Sequence, residues 1–293
     1  MARSSRITDA LLLSHVNKMG EEHPPVPWDS VDFTVGDPTA MRTRFAGVLD
    51  YLARVELEVE RNVLELLTIM PNPSEADRVF YADVWYGQEI QHGLILDELK
   101  RRIGLPGSEP LLQVGFAVKA LGAMAHFEQI QDVARTIYYF TGASTERQAV
   151  LAYNAFASEL DAMGEKAVRE TIINPIKRQE PGHFAFYRVS AEKVTTDGTL
   201  KPWQMWLARK LRTFSYELVG THNDPRYQAQ MGEVITKLGF ERELEVFAKE
   251  IGRLEANLLW AQRNGLDFPP YVLRALREAV DIYRERGDFT PTL

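Results

Sequence analysis

The chain contains no cysteine. This excludes disulfides, thiol nucleophiles, iron–sulfur ligation and cysteine-rich zinc sites. No apolar run approaches the length of a membrane span. The run Leu11-Leu12-Leu13, after the basic start Met1-Ala-Arg-Ser-Ser-Arg6, is far too short for a signal-peptide core. A soluble, cytoplasmic protein is therefore expected, with no membrane partner. Gly-x-x-x-x-Gly-Lys-Ser/Thr, Gly-x-Gly-x-x-Gly and Gly-x-Ser-x-Gly are all missing, which leaves nucleotide-driven and α/β-hydrolase chemistry without local support. An excess of positive charge is missing too. The 34 basic and 41 acidic residues give a net charge of −7, which argues against nucleic acid as the main partner. No segment with strand periodicity, internal repeat, low-complexity tract or linker stands out.

What is present is helical. The chain has 293 residues and is 45% hydrophobic, enough for a sizeable core. The simplest expectation is one all-α domain over 1–293. A short helix is expected over 8–19, within an otherwise irregular 1–36 that carries Pro24, Pro25 and Pro27. Asp37-Pro38 then reads as a cap followed by proline at the first helical position. That helix is expected to run to about Met70, where Pro71 and Pro73 stop it. Phe45, Val48, Leu49, Leu52, Val55, Val59, Val63 and Leu66 form its apolar stripe at a 3.6-residue period. Ser74-Glu-Ala-Asp77 reads as a capping box and opens a second long helix ending near Gly104-Leu-Pro106. A third helical region covers 111–163, with a break near Gly142. After Gly164 a fourth covers 165–194. Four more segments are expected over 201–219, 225–238, 241–263 and 269–286, with Gly220, Gly239 and Gly265 as stops.

Two copies of one spacing carry the chemistry: Glu89-Ile-Gln-His92 and Glu180-Pro-Gly-His183. Residues three apart share a helix face, so each pair aims a carboxylate and an imidazole at one point. Bundle proteins holding two metal ions take Glu-x-x-His from each of two helices and a lone Glu from each of two more. Carboxylate oxygen with imidazole nitrogen suits iron or manganese. For the first lone carboxylate the choice lies between Glu56 and Glu60, one turn apart on the same face, with Glu58 pointing elsewhere. For the second, Glu128, Glu146 and Glu159 are on offer. Spacing favours one pairing, with Glu60 left open one turn further along: Glu56 precedes Glu89 by 33 residues and Glu146 precedes Glu180 by 34. Each half then becomes helix, connection, helix, and two halves make a four-helix bundle.

At these residues the chain resembles the soluble acyl-carrier-protein desaturases of the ferritin-like di-iron carboxylate superfamily. The family pattern Trp-x-x-x-Glu-x-x-His-Gly stands here as Trp85-Tyr-Gly-Gln-Glu89-Ile-Gln-His92-Gly93, and its Glu-Arg at the third ligand as Glu146-Arg147. The resemblance covers roughly 37–194 and implies a ferritin-like four-helix bundle with additional C-terminal helices over 200–293. It implies two iron ions, with manganese as an alternative at one site, held by Glu56, Glu89, His92, Glu146, Glu180 and His183, with no catalytic residue beyond these ligands. It further implies an oxidase that uses dioxygen on an acyl or amino substrate, as desaturase, hydroxylase or N-oxygenase. An external electron donor, an acyl-carrier protein presenting the substrate and a homodimer belong to the same expectation. The competing reading is a non-catalytic ferritin-like metal-binding or scaffold protein.

The departures are specific. The desaturases place threonine where Ala149 stands, and often an acidic residue where Gln88 and Gln179 stand. The third histidine of the related arylamine N-oxygenases falls on Ile176. Pro181-Gly182 inside the second motif, with Pro175 before it, is expected to bend the fourth helix. Because alanine cannot hydrogen-bond bound oxygen, simple fatty acyl desaturation is not expected as the native activity. Thr141, Ser144 and Thr145 are near replacements, none well aimed by helical geometry. Trp85, Tyr86, Phe184 and Tyr187 are candidates to line an apolar substrate pocket. Lys166, Arg169, Lys177, Arg178, Arg188 and Lys193 form a basic face suited to an acidic carrier protein.

Overall fold

The computed structural model describes residues 7–70 and 72–289, and of Phe116 and Ala117 the backbone only. The basic start and Pro71 lie outside the described residues. Among those described, every regular element is a helix. Helix α1 (Asp9–Glu22) is capped by the Thr8 hydroxyl. Helix α2 (Pro38–Leu57) opens on the expected Asp37 cap and N-terminal proline. It does not run on to Met70. The helix is interrupted at Glu58 (φ −74°, ψ −1°), and α3 (Val59–Ile69) follows. The break has a local cause: the Glu58 carboxylate is buried between Arg54, Arg61 and His222, which fixes its backbone in a turn.

The Ser74–Asp77 capping box forms as expected and opens α4 (Glu75–Val79). A π-helical turn, Phe80–Trp85, joins it without interruption to α5 (Tyr86–Arg102). In the third region the break falls at His126 and Phe127, between α6 (Phe116–Ala125) and α7 (Glu128–Met163). Helix α7 passes straight through Gly142. That glycine serves close packing: a Cβ there would lie 2.1 Å from the Tyr187 ring of a neighbouring helix. Gly164 ends α7 in the left-handed conformation (φ 77°), which glycine adopts without steric cost.

The fourth expected helix is α8 (Lys166–Val168), a second π turn (Arg169–Ile173) and α9 (Asn174–Thr196) in continuous succession. Pro181 sits inside α9, which keeps its helical course through the Pro-Gly step. The irregularity expected there is instead the π turn just before Pro175. Helices α10 (Pro202–Ser215), α11 (Pro225–Lys237), α12 (Leu244–Leu258) and α13 (Pro270–Arg286) complete the chain.

Helix α2 packs along α5 and α7 along α9. Helix α11 lies on α2 and α13, while α10 and α12 lie on α7, so the C-terminal helices cover one side of the two pairs. Polar contacts fix this cover. The Tyr51 hydroxyl donates to the Val219 carbonyl (2.6 Å) and Arg54 to that of Gly220 (3.0 Å). Arg212 makes a bidentate, buried pair with Glu255 (3.0 and 2.9 Å). No helix among the described residues is long and apolar enough to cross a membrane.

Candidate metal centre

Helices α2, α5, α7 and α9 bring Glu56, Glu89 with His92, Glu146, and Glu180 with His183 to one place. All six side chains are buried; Glu89 is the most exposed at 7% and both histidines stand at 0%. They form two groups. Glu56, Glu89, His92 and Glu180 offer one ligand atom each within 4.8 Å of one another, and so do Glu89, Glu146, Glu180 and His183. Each group has its own histidine and its own lone glutamate, and the two groups share Glu89 and Glu180.

Glu60 is exposed, lies in α3 beyond the break at Glu58, and belongs to neither group. Glu58, expected to point elsewhere, does so, but into the interior ion cluster. Glu159 pairs with Arg44 at the surface, and Glu128 stands at the start of α7.

The imidazoles are held by a reciprocal arrangement. His92 Nε2 lies 2.5 Å from Gln179 Oε1, and His183 Nε2 lies 2.5 Å from Gln88 Oε1. The glutamine before each motif's glutamate therefore orients the histidine of the other motif. An amide oxygen requires an N–H from Nε2, which leaves Nδ1 as the free nitrogen facing the carboxylates. His92 Nδ1 is 3.4 Å from Glu180 and 3.7 Å from Glu56; His183 Nδ1 is 2.9 Å from Glu89. The Gln179 amide donates in turn to the Pro24 carbonyl (2.6 Å), and Gln88 to that of His23. The segment after α1 thus closes this shell. Two further donors reach the carboxylates: the Tyr153 hydroxyl to Glu56, and the Trp85 indole N–H to Glu146 at 3.3 Å. Replacing Gln179 or Gln88 by alanine should lower metal affinity about 10- to 100-fold with the ligands intact. Competition with a chelator measures this directly.

The electrostatics call for a cation. Glu56 Oε2, Glu89 Oε1, Glu180 Oε1 and both imidazole Nδ1 atoms are buried without a hydrogen-bond partner, all at this one place. Some of their contacts are short, as at His183–Glu89, but misaligned for hydrogen bonding. Orphaned buried polar atoms are costly, and four carboxylates outnumber two imidazoles. Two divalent cations would balance four carboxylates, and the donor set fits a hard or borderline metal. Protons are the substitute. Burial, then the charges of Glu56 and Glu180, pushes Glu89 well above the ordinary carboxylate range. Burial raises Glu146 to about 7. Burial opposes charge on both imidazoles, but the surrounding carboxylates outweigh it and raise them. Burial would also raise Glu56, yet the neighbouring Glu89 and His92 and the Tyr153 hydroxyl that donates to it outweigh burial and hold it at about 2.

These shifts set a pH dependence. Between the ordinary 4.5 and about 7 the folded chain keeps a proton on Glu146 that the unfolded chain releases, so stability falls as pH rises. The imidazoles act in the same direction, contributing stability below 6.5 that is lost as pH rises through their folded values. Glu56 opposes this only as pH falls from 4.5 toward about 2. Metal-free protein should therefore melt at progressively lower temperature from pH 5 to pH 8, roughly the span of these groups. A divalent metal should flatten the profile by displacing the protons.

A cavity of about 60 Å³ opens beside the carboxylates. Ala149, Thr145, Gln148 and Tyr153 of α7 line it, with Val55 and Val59 opposite and Met231, Val234 and Ile235 of α11 closing it. Of the four aromatic residues expected to line a pocket, Trp85 lines this cavity and Tyr86 does not. Tyr187 instead packs with Tyr81 and Phe186 in the core, and Phe184 lies near Arg147. Thr145, which helical geometry alone sets off the ligand face, also lines the cavity, because the space wraps around α7. No family model matches this chain, no curated protein matches it, and no solved structure matches it.

Proposed function

We propose that the protein is a non-haem di-iron oxidase acting on a specialised acyl or amino substrate. The observation that carries this reading is the pair of buried Glu/Glu/Glu/His groups sharing Glu89 and Glu180. A paired iron centre supplies reduction of dioxygen coupled to removal of hydrogen from an unactivated C–H or N–H bond. Glu56 and His92 would hold one ion and Glu146 and His183 the other, with Glu89 and Glu180 common to both groups. Gln88 and Gln179 fix the imidazole tautomers. Tyr153, kept protonated by burial and then by the Glu56 charge, holds a proton beside that carboxylate.

The cavity supports the specialised substrate. At about 60 Å³ it is far below the roughly 300–1,000 Å³ of ordinary ligand pockets, so an extended fatty acyl chain has no room unless α11 moves. Ala149 offers no hydroxyl there, and Thr145 is the hydroxyl that does line the space. Carrier docking has weaker support. On the basic face Arg169 is paired with Asp161 and Glu170, and Lys193 with Asp9, leaving Lys166, Lys177, Arg178 and Arg188 for an acidic partner.

The balance needs two electrons from substrate and two from an external donor to reduce one dioxygen to water or to water plus an inserted oxygen atom. The test supplies iron-loaded protein, a reductant and oxygen with carrier-bound acyl chains, free acids and small amines. Substrate-dependent oxygen uptake, with loss of two hydrogens or gain of one oxygen in the product, supports an oxidase. Efficient alkene formation from stearoyl-carrier protein would overturn the specialised substrate. Tight iron binding with no substrate-dependent uptake would favour the non-catalytic metal-binding reading.

A further inference from the structure

A second site stands apart from the carboxylate cluster, between α10, the C-terminal end of α12 and the start of α13. A groove of about 440 Å³ is lined by Arg209 and Lys210 of α10, Arg263 of the loop after α12, and Arg274 of α13. Among the described residues no acidic side chain lines it. Elsewhere most arginines of this acidic chain have found carboxylates, as at Arg54, Arg61, Arg147 and Arg212. Among the described residues these four cations have none within salt-bridge distance.

Two of the cations are fixed in place by uncharged partners. Arg209 Nε donates to the Leu259 carbonyl at 2.6 Å, which leaves its terminal nitrogens free. Arg263 lies over the Trp260 ring, 4.6 Å from its centroid. Like charges held together in this way are unfavourable without a counter-ion. Burial, and then the charge of Arg263, lowers the pKa of Arg209. The first turn of α13 adds to the positive potential, since its N-cap is Pro269, no side chain caps it and it carries no acidic residue. Trp206 lines the same groove and is 57% exposed, an aromatic residue beside the cations.

We propose that this groove binds an organic phosphate or pyrophosphate carrying a planar ring, of the size of a nucleotide. The arginines and Lys210 take the phosphate oxygens, for which the guanidinium fork is well shaped. Trp206 stacks on the ring. The volume lies within the range of small-ligand pockets. The net charge of −7 opposes approach of a long polyanion, so a small ligand is favoured over nucleic acid.

The test is calorimetric titration of the full-length protein with ADP, inorganic phosphate and adenosine, at low ionic strength without added divalent cation. ADP should bind at least about tenfold more tightly than phosphate or adenosine alone, because charge and stacking act together. Its affinity should fall as salt rises. The double variant Arg263→Glu/Arg274→Glu, at two exposed positions without carboxylate partners, should lose at least about tenfold in ADP affinity while binding iron as before. Trp206→Ala should erase the preference for ADP over phosphate. Should the double variant fail to fold, Arg274→Gln with Trp206→Ala measures the same two contributions. Absence of ADP binding, binding unchanged in these variants, or phosphate binding as tightly as ADP would each overturn the proposal. None of these outcomes depends on the carboxylate cluster holding metal.

Discussion

Replacing His92 or His183 with alanine is expected to reduce bound iron from about two per chain to one or fewer, the largest functional effect expected of a single substitution. Each imidazole is the only nitrogen donor in its group of four, whereas Glu89 and Glu180 serve both groups. Losing one imidazole leaves three carboxylates around that position and strands the glutamine that oriented the ring, Gln179 for His92 and Gln88 for His183. Glu180→Ala should affect both positions together. Both histidines are wholly buried, so alanine also leaves a cavity. Circular dichroism and thermal unfolding of the metal-free variants separate loss of fold from loss of ligand. Glu60→Ala is the internal control: it is exposed and outside both groups, and should keep full iron content. Full iron content in both histidine variants would remove them from the ligand set.

Glu58→Ala should cause the largest loss of stability, about 3–5 kcal/mol, because it strands buried positive charge. The Glu58 carboxylate lies 2.8 Å from Arg54, 3.1 Å from Arg61 and 2.8 Å from His222, and the two arginines are 3% and 6% exposed. Without it Arg54 keeps only the Gly220 carbonyl and the Gln230 amide oxygen, and the carboxylate left to Arg61 is the more distant Glu65 at 3.5 Å, beside the turn that separates α2 from α3. Burial alone would raise the Glu58 pKa, but the hydrogen bond from His222 and the charges of Arg61 and Arg54 outweigh burial and lower it. Its contribution is therefore fully present above the ordinary 4.5 and is lost as pH falls through the lower folded value. Urea unfolding at neutral pH measures the effect. A loss below about 1 kcal/mol, the scale of an exposed pair, would show that the arginines find other partners.

The six clustered side chains were legible because they follow helical arithmetic. Glu-x-x-His fixes a shared face, and the 33- and 34-residue offsets set the lone glutamates level with it. Terminators with local chemistry were equally readable: the Asp37 cap, the Ser74–Asp77 box and the left-handed Gly164. What escaped depends on tertiary contacts. Between Glu56 and Glu60 lies the break at Glu58, whose partner His222 is 164 residues away. Gly142 reads as a break in isolation and is a packing site only once Tyr187 is beside it. The crossed Gln–His pairs join α5 to α9, and no spacing within one helix encodes them. Both π turns sit shortly before a Glu-x-x-His, where an inserted residue re-aims the helix face; neither leaves a periodic signature. The closure of the cavity by α11 gives a role to helices that the motif arithmetic had left aside.

Anaerobic titration of the metal-free protein with ferrous iron tests the central claim most directly. Saturation is predicted at about two ions per chain, with proton release on binding and a coloured species on admitting oxygen. Saturation at one ion or none, with full-length folded protein, would contradict it.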